Sequence, residues 1–338
     1  MVIQNSRQII PRSLVDPCGR TVDYLRLSVT DRCNLRCTYC MAEEMSFLPK
    51  QQILSLEEMR DLASAFVELG IRKIRLTGGE PLIRRDIIKL VSALNALPGL
   101  DEVTMTTNGV LLPAMAQPLK EAGLSRLNIS IDSLNADRFK ELTRVGNLHE
   151  VIEGIQAAGE TGFKKVKLNA VILAGFNDDE VVDLARFAVD QGMDISFIEE
   201  MPLGEIDAHK RVNTQIASSR LREQLISEFT LFDSAETTGG PSRYMQVVGT
   251  NSKIGFISPM SNNFCESCNR VRMTAEGRLL LCLGNEHSVD LREVIRSNPG
   301  DKELLKTHIT DALKNKPERH YFDAQQVDIV RFMNMTGG

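Results

Sequence analysis

Six short β-prone segments recur along the first two thirds of the chain, at residues 25–29, 73–76, 102–105, 127–131, 166–172 and 194–198. Each is rich in aliphatic or β-branched residues and ends in polar or glycine-containing punctuation. Amphipathic helical patterns lie between them. The helix after Ser55 opens with a capping-box pattern, Ser55 with Glu58, and Asn177 with Glu180 repeats the device before residues 181–190. Further helices fit residues 85–96, 113–122, 136–142, 150–160 and 218–228. Strands joined through helices run parallel, with the helices outside the sheet. Eight such units close an ordinary βα barrel, so six predict an α/β fold built on a partial, six-fold (βα) barrel.

From about residue 235 the beat stops. "ETTGGPSR" is loop-like. Residues 244–248 with 253–257, and 270–274 with 278–282, read as two β-hairpins, followed by a helical tail that ends in Gly337-Gly338. The expected division is 1–235 for the barrel and 236–338 for a β-containing C-terminal domain that covers its open end.

The formal charge is −5. This argues against bulk affinity for nucleic acid or anionic membrane, while leaving room for a basic patch inside a cleft. "MVIQNSRQIIPR" lacks the apolar core of a signal peptide, and no apolar run reaches bilayer length. The expectation is a cytoplasmic protein, where thiols stay reduced. Its seven cysteines, an odd number, then read as metal ligands or catalytic groups and not as disulfides.

Three of them crowd into "DRCNLRCTYC", with the spacing Cys33-x3-Cys37-x2-Cys40. A structural zinc ion is normally closed by four ligands, and after Cys40 the next Cys or His is His149. Three thiolates suit three irons of a 4Fe–4S cube, leaving the fourth iron for a small molecule. Buried structural cysteines, or zinc completed from a distance, are the other readings. "FCESCNRVRMTAEGRLLLC" supplies a second triad, Cys265-x2-Cys268-x13-Cys282. Cys268 and Cys282 fall at the two ends of the second hairpin. Here the choice lies between zinc, with His287 as a fourth ligand, and a second three-thiolate cube with an open iron.

The first triad follows the first strand, has Tyr39 just before its last cysteine, and is followed by "TGGEP" at residues 77–81 after a strand. This resembles the radical S-adenosylmethionine (SAM) enzymes. The glycines of such a segment allow close backbone approach to a ligand. With both triads, "YLRLSVTDRCNLRCTYC", "IRLTGGEPL", "TTNG", "LNISIDSL", "CNRVR" and the terminal Gly-Gly, nearly the whole chain is similar to the MoaA family of GTP 3′,8-cyclases. These are carbon–carbon bond-forming lyases of molybdenum cofactor (molybdopterin) biosynthesis.

The resemblance implies two 4Fe–4S clusters, on Cys33, Cys37 and Cys40 and on Cys265, Cys268 and Cys282, with SAM on the first. It implies that a 5′-deoxyadenosyl radical takes the 3′ hydrogen of the GTP ribose. The ribosyl radical then attacks carbon 8, and reduction and protonation give (8S)-3′,8-cyclo-7,8-dihydroguanosine 5′-triphosphate. Tyr39, Gly79, Glu80, Ser130 and Met201 match SAM positions. Arg26, Arg75, Thr106, Lys167, Arg270, Val271 and Arg272 match GTP positions, with Lys73 as a neighbour. Arg270, Arg272, Gly337 and Gly338 carry the expected catalytic roles, the glycines as a tail entering the active site. An electron donor such as a flavodoxin or ferredoxin, transfer of product to cyclic pyranopterin monophosphate synthase, and a homodimer are the implied partners.

The residues alone support part of this. Arg26, Lys73, Arg75, Lys167, Arg270 and Arg272 lie inside aliphatic strands, where burial beside an anion is the economical reading of a charge. Arg270 and Arg272 alternate along one strand and so share a face. Cys18 matches no ligand and reads as a small hydrophobe. A radical SAM peptide-modifying enzyme and a zinc-stabilised or electron-carrying protein are the competing assignments.

Overall fold

The structure is a computed structural model that describes residues 13–204, 206, 214–236, 238–322 and 329–337. The six expected strands form as β1 (Tyr24–Ser28), β2 (Lys73–Thr77), β3 (Glu102–Thr107), β4 (Arg126–Ser130), β5 (Lys165–Ile172) and β6 (Asp194–Glu199). They are hydrogen-bonded side by side in that order, all parallel. The connecting helices are α1 (Leu56–Glu68), α2 (Ile87–Asn95), α3 (Leu112–Glu121), α4 (Ala136–Thr143), α5 (Leu148–Thr161) and α6 (Val181–Asp190), with α7 (Ser218–Glu228) after β6.

Strand alternation sorts the side chains. Leu25 and Leu27 of β1, Ile74 and Leu76 of β2, Val103 and Met105 of β3, and Leu127 and Ile129 of β4 all join one apolar core beneath the helices. The charged and hydroxylated residues between them face the other way.

The Ser55–Glu58 capping box is present. Ser55 Oγ accepts from Glu58 N at 3.1 Å and the Glu58 carboxylate accepts from Ser55 N at 2.7 Å. The second expected box does not form, because buried donors nearer than the helix end capture both side chains. Asn177 Oδ1 accepts from Leu173 N, and its amide donates to Asp132 O. Glu180 accepts from Ser133 Oγ and Leu134 N, locking the loop after β4 onto the start of α6.

Both expected hairpins form, and their strands extend the barrel sheet at its two edges. The remaining strands are β7 (Leu231–Asp233), β8 (Arg243–Val247), β9 (Lys253–Ile257), β10 (Arg270–Met273), β11 (Arg278–Leu280) and β12 (Ser288–Asp290). β10 lies parallel to β1 at one edge, and β9 lies parallel to β6 at the other. The result is one twelve-stranded sheet in the order β12-β11-β10-β1-β2-β3-β4-β5-β6-β9-β8-β7. Helices α8 (Leu291–Ser297), α9 (Lys302–Leu313) and α10 (Met333–Thr336) complete the described chain. Among the described residues no helix is long and apolar enough to cross a membrane.

Candidate active site

The joining of β10 to β1 builds the site. Register places Arg272 opposite Arg26 and Arg26 opposite Arg75, and in the next row Arg270, Tyr24 and Lys73. Like charges side by side across strands repel, so such rows are retained only where an anion belongs. With Lys167 these five cations line a cavity of about 1180 Å³, its open mouth included; Thr106, Met201 and Val271 also border it. No Asp or Glu lines it among the described residues.

The environment of these groups is strongly electropositive. Burial, then the charges of Arg26 and Arg270, pull the Arg272 guanidinium well below its ordinary range. Burial and the neighbouring cations bring Arg26 down to about 10, and its Nε is buried with no hydrogen-bond partner. Burial pushes the Tyr24 phenol up, but Arg75, Arg26 and Lys73 together outweigh it and bring it down to about 7. Arg75 Nε donates to Tyr24 Oη at 2.6 Å, and its Nη1 reaches Thr106 Oγ1 at 3.3 Å. Lys167 Nζ lies 3.2 Å from Ser196 Oγ and 3.3 Å from Tyr244 Oη. Lys73 is already paired with Glu102, at 3.1 Å.

Cys265, Cys268 and Cys282 lie on the same cavity wall. The β10–β11 ladder brings Cys268 and Cys282 to one end of the hairpin. Burial raises the Cys282 thiol, and the adjacent Cys268 and Cys265 raise it further. The Cys268 thiol, despite burial, is brought down to about 7 by Lys316 and Arg270. His287 is exposed and away from this wall, whereas His320, in a segment without a sequence signal, lines it.

Cys33, Cys37 and Cys40 sit half-buried in the loop after β1. Burial raises Cys33 to about 11 and Cys40 to about 12, and Cys37 rises through burial and its neighbours Cys40, Asp132 and Cys33. Thiols so placed ionise when a metal takes the proton's place. Among the described residues no three Cys, His, Asp or Glu groups converge as ligands of one ion. A cluster needs no such convergence, since each thiolate takes its own iron. Two sets of three grouped thiols fit that arrangement.

Of the SAM-matching residues, Gly79, Glu80 and Tyr39 lie at the first triad. Gly79 packs against the cysteine loop: an added Cβ would collide with Arg32 O, while Gly79 N donates to Thr30 O and Glu80 N to Arg32 O, both at 2.8 Å. The close approach that these glycines permit is to backbone of the cluster loop. The buried Glu80 carboxylate accepts from Leu82 N, Thr107 Oγ1 and Asn108 N, and burial lifts it to about 7. It fastens the loop to the end of β3. Tyr39 donates to Asp132 at 2.7 Å, and Asp132 also accepts from Val171 N. Ser130 ends β4, half-buried and in register with Asn169. Met201 alone of this group reaches the cavity.

The C-terminal tail joins the two regions. Met333 N donates to Cys40 O, and Asn334 Nδ2 to Asp31 O. Arg272 Nη1 donates to Gly337 O. Gly337 has φ +75°, and a Cβ there would overlap Thr77 Oγ1, so only glycine fits. Gly338 lies outside the described residues. Tyr24, Asp132, Lys316 and His320 went unnoticed in the sequence. Tyr24 had a usable signal, standing two residues before Arg26 on the same strand.

The profile of the Radical SAM superfamily matches residues 27–188, and that of Molybdenum Cofactor Synthesis C matches residues 193–322. The GTP 3′,8-cyclase of Pseudomonas putida (strain W619) is 59% identical over 97% of this chain and 98% of its own. That of Pseudomonas entomophila (strain L48) is 59% identical over 97% and 99%. Streptococcus suis SuiB shares the fold at TM-score 0.62 and 16% identity, over 90% of this chain and 78% of that one. The chain belongs to the radical SAM superfamily and, within it, to the GTP 3′,8-cyclase family.

Proposed function

We propose that this enzyme converts GTP to (8S)-3′,8-cyclo-7,8-dihydroguanosine 5′-triphosphate, the first step of molybdenum cofactor biosynthesis. The observation that carries this reading is one cavity with six cationic side chains and the Cys265–Cys268–Cys282 triad on its wall, and no carboxylate among its described residues. A polyanion with a coordinating base matches that wall. The identity with named GTP 3′,8-cyclases over nearly the full chain supports the same substrate.

Cys33, Cys37 and Cys40 would hold a 4Fe–4S cluster that, with SAM, would supply radical chemistry, and Cys265, Cys268 and Cys282 would hold a second cluster that would supply a coordination site for the base. The chain's own residues do the positioning. Arg26, Arg75, Lys73 and Lys167 hold the triphosphate, the arginines through paired charge-assisted hydrogen bonds. Thr106 orients Arg75. Arg270 and Arg272 stand by the base and ribose, with Val271 packing behind them. Tyr39, Ser130, Gly79 and Met201 border the SAM position, and Glu80 acts by holding the Gly79 loop. Gly337, with Gly338 beyond it, brings a side-chain-free tail to Arg272. Phe264, Phe322 and Met333 exclude water from the same wall, protecting a reactive radical from side reactions.

In this reading residues 1–235 provide SAM chemistry and the cations for the triphosphate, and 236–338 the second triad that anchors the base. The enzyme works in the cytoplasm, as a homodimer that binds no nucleic acid. It draws electrons from a flavodoxin or ferredoxin and passes product to cyclic pyranopterin monophosphate synthase.

Equilibrium binding tests the substrate directly. GTP should bind the protein carrying both clusters far better than ATP does, and Cys268→Ser should remove that preference while leaving triphosphate affinity. Equal binding of GTP and ATP to the fully loaded enzyme would refute the reading.

A further inference from the structure

Lys316 is a buried cation with no place in the chemistry above; only 4% of it is exposed. Its Nζ donates to Leu281 O at 2.7 Å and to Arg270 O at 3.1 Å, and lies 3.7 Å from Cys268 Sγ. Leu281 immediately precedes Cys282, and Arg270 follows Cys268 by two residues. The β10–β11 ladder pairs Met273 with Leu279 and Arg272 with Leu280. Lys316 therefore ties the two strands together at the end that carries the cysteines.

Its own segment is also fixed. Arg20 donates to Cys265 O at 2.8 Å and to Pro317 O and Glu318 O, both at 2.6 Å, while pairing with Asp16. His320 N approaches Cys265 Sγ at 3.5 Å. One short stretch thus touches all three arms of the triad. A buried ammonium without a counter-charge is expensive, and among the described residues no carboxylate pairs with Lys316. The charge available to balance it is that of the thiolates.

We propose that Lys316 is the positioning residue of the second cluster, stapling Cys268 and Cys282 into ligating geometry and offsetting the negative charge of the bound cluster. The inference rests on the second-cluster reading above. Reduction adds negative charge, so a fixed neighbouring cation favours the reduced form.

The test compares Lys316→Met and Lys316→Arg, reconstituted anaerobically, by iron and sulfide analysis and by potentiometric titration followed by electron paramagnetic resonance. Lys316→Met should shift the second cluster at least about tenfold toward its oxidised form, about 59 mV for one electron. It should leave the first cluster unchanged, and Lys316→Arg should stay near wild type. Selective loss of the second cluster in Lys316→Met also supports the role. Wild-type potentials for both clusters in Lys316→Met overturn it, as does iron lost equally from both. A wild-type chain that binds only about four irons, one cluster's worth, overturns the second-cluster reading itself.

Discussion

Replacing Gly337 by alanine should separate radical generation from cyclisation. The new Cβ would overlap Thr77 Oγ1 and lie 2.8 Å from Thr77 Cβ. Thr77 is buried at the end of β2 and paired in register with Ser28, so the tail must give way. The φ of +75° adds strain of roughly 1–3 kcal/mol for a residue with a side chain. A retreating tail also gives up the Arg272–Gly337 hydrogen bond, worth roughly 1.5–3 kcal/mol for a charged donor. With the overlap against Thr77, itself roughly 1–3 kcal/mol, the backbone strain brings the penalty on the docked tail to roughly 3 kcal/mol, which depletes it about a hundredfold at ~1.4 kcal/mol per decade. Anaerobic reactions with GTP, SAM and dithionite, with 5′-deoxyadenosine and cyclised nucleotide quantified separately, read the two steps apart. 5′-Deoxyadenosine should persist within a few-fold while cyclised nucleotide falls at least about tenfold. Adding Thr77→Ala removes the worse contact and should recover part of the loss. Wild-type cyclisation by Gly337→Ala would show that tail docking at Thr77 and Arg272 is not needed for the reaction.

Other residues give sharper individual outcomes. Arg75→Met should weaken GTP binding about 10- to 100-fold and flatten its salt dependence, since a charged donor is worth roughly 1.5–3 kcal/mol; unchanged salt dependence by titration calorimetry would contradict this. Tyr24 is held at about 7 when folded, below its ordinary 10, so the unfolded chain binds the extra proton between those values. Stability should therefore rise with pH across that window, by up to ~1.4 kcal/mol per pH unit, the contribution being lost as pH falls through 7. Denaturant titrations of Tyr24→Phe should lack that slope; equal slopes would remove the Tyr24 assignment. Asp132→Asn leaves one buried donor, from Tyr39 or Val171, facing an amide N–H, at a cost of roughly 1–3 kcal/mol. SAM affinity by equilibrium dialysis should fall with it, whereas an unchanged affinity would separate Tyr39 from SAM.

Strands β1 to β6 were readable because alternation of aliphatic and polar residues is local, and the charges inside those strands were readable for the same reason. Pairing of β10 with β1 and of β9 with β6 was not, because neighbours far apart in sequence leave no local mark. Yet that pairing is what aligns Arg272, Arg26 and Arg75. Asn177 and Glu180 looked like a cap because the spacing was right, but a buried loop offered better-placed donors. Gly79 pointed to a close backbone approach, and the approach the structure shows is to Arg32 O. Lys316 and His320 could not be singled out, because a Lys or His in "KPERH" reads as surface until the fold delivers it to the second triad.

The proposed reaction requires that GTP held in the cavity of the second triad present its ribose to radical chemistry at the first. Single-turnover reaction of the fully loaded enzyme with GTP deuterated at the ribose 3′ position tests it most directly. Deuterium should appear in 5′-deoxyadenosine, matched by formation of the cyclised triphosphate. 5′-Deoxyadenosine without deuterium, or no cyclised nucleotide from a chain with both clusters filled, would contradict it.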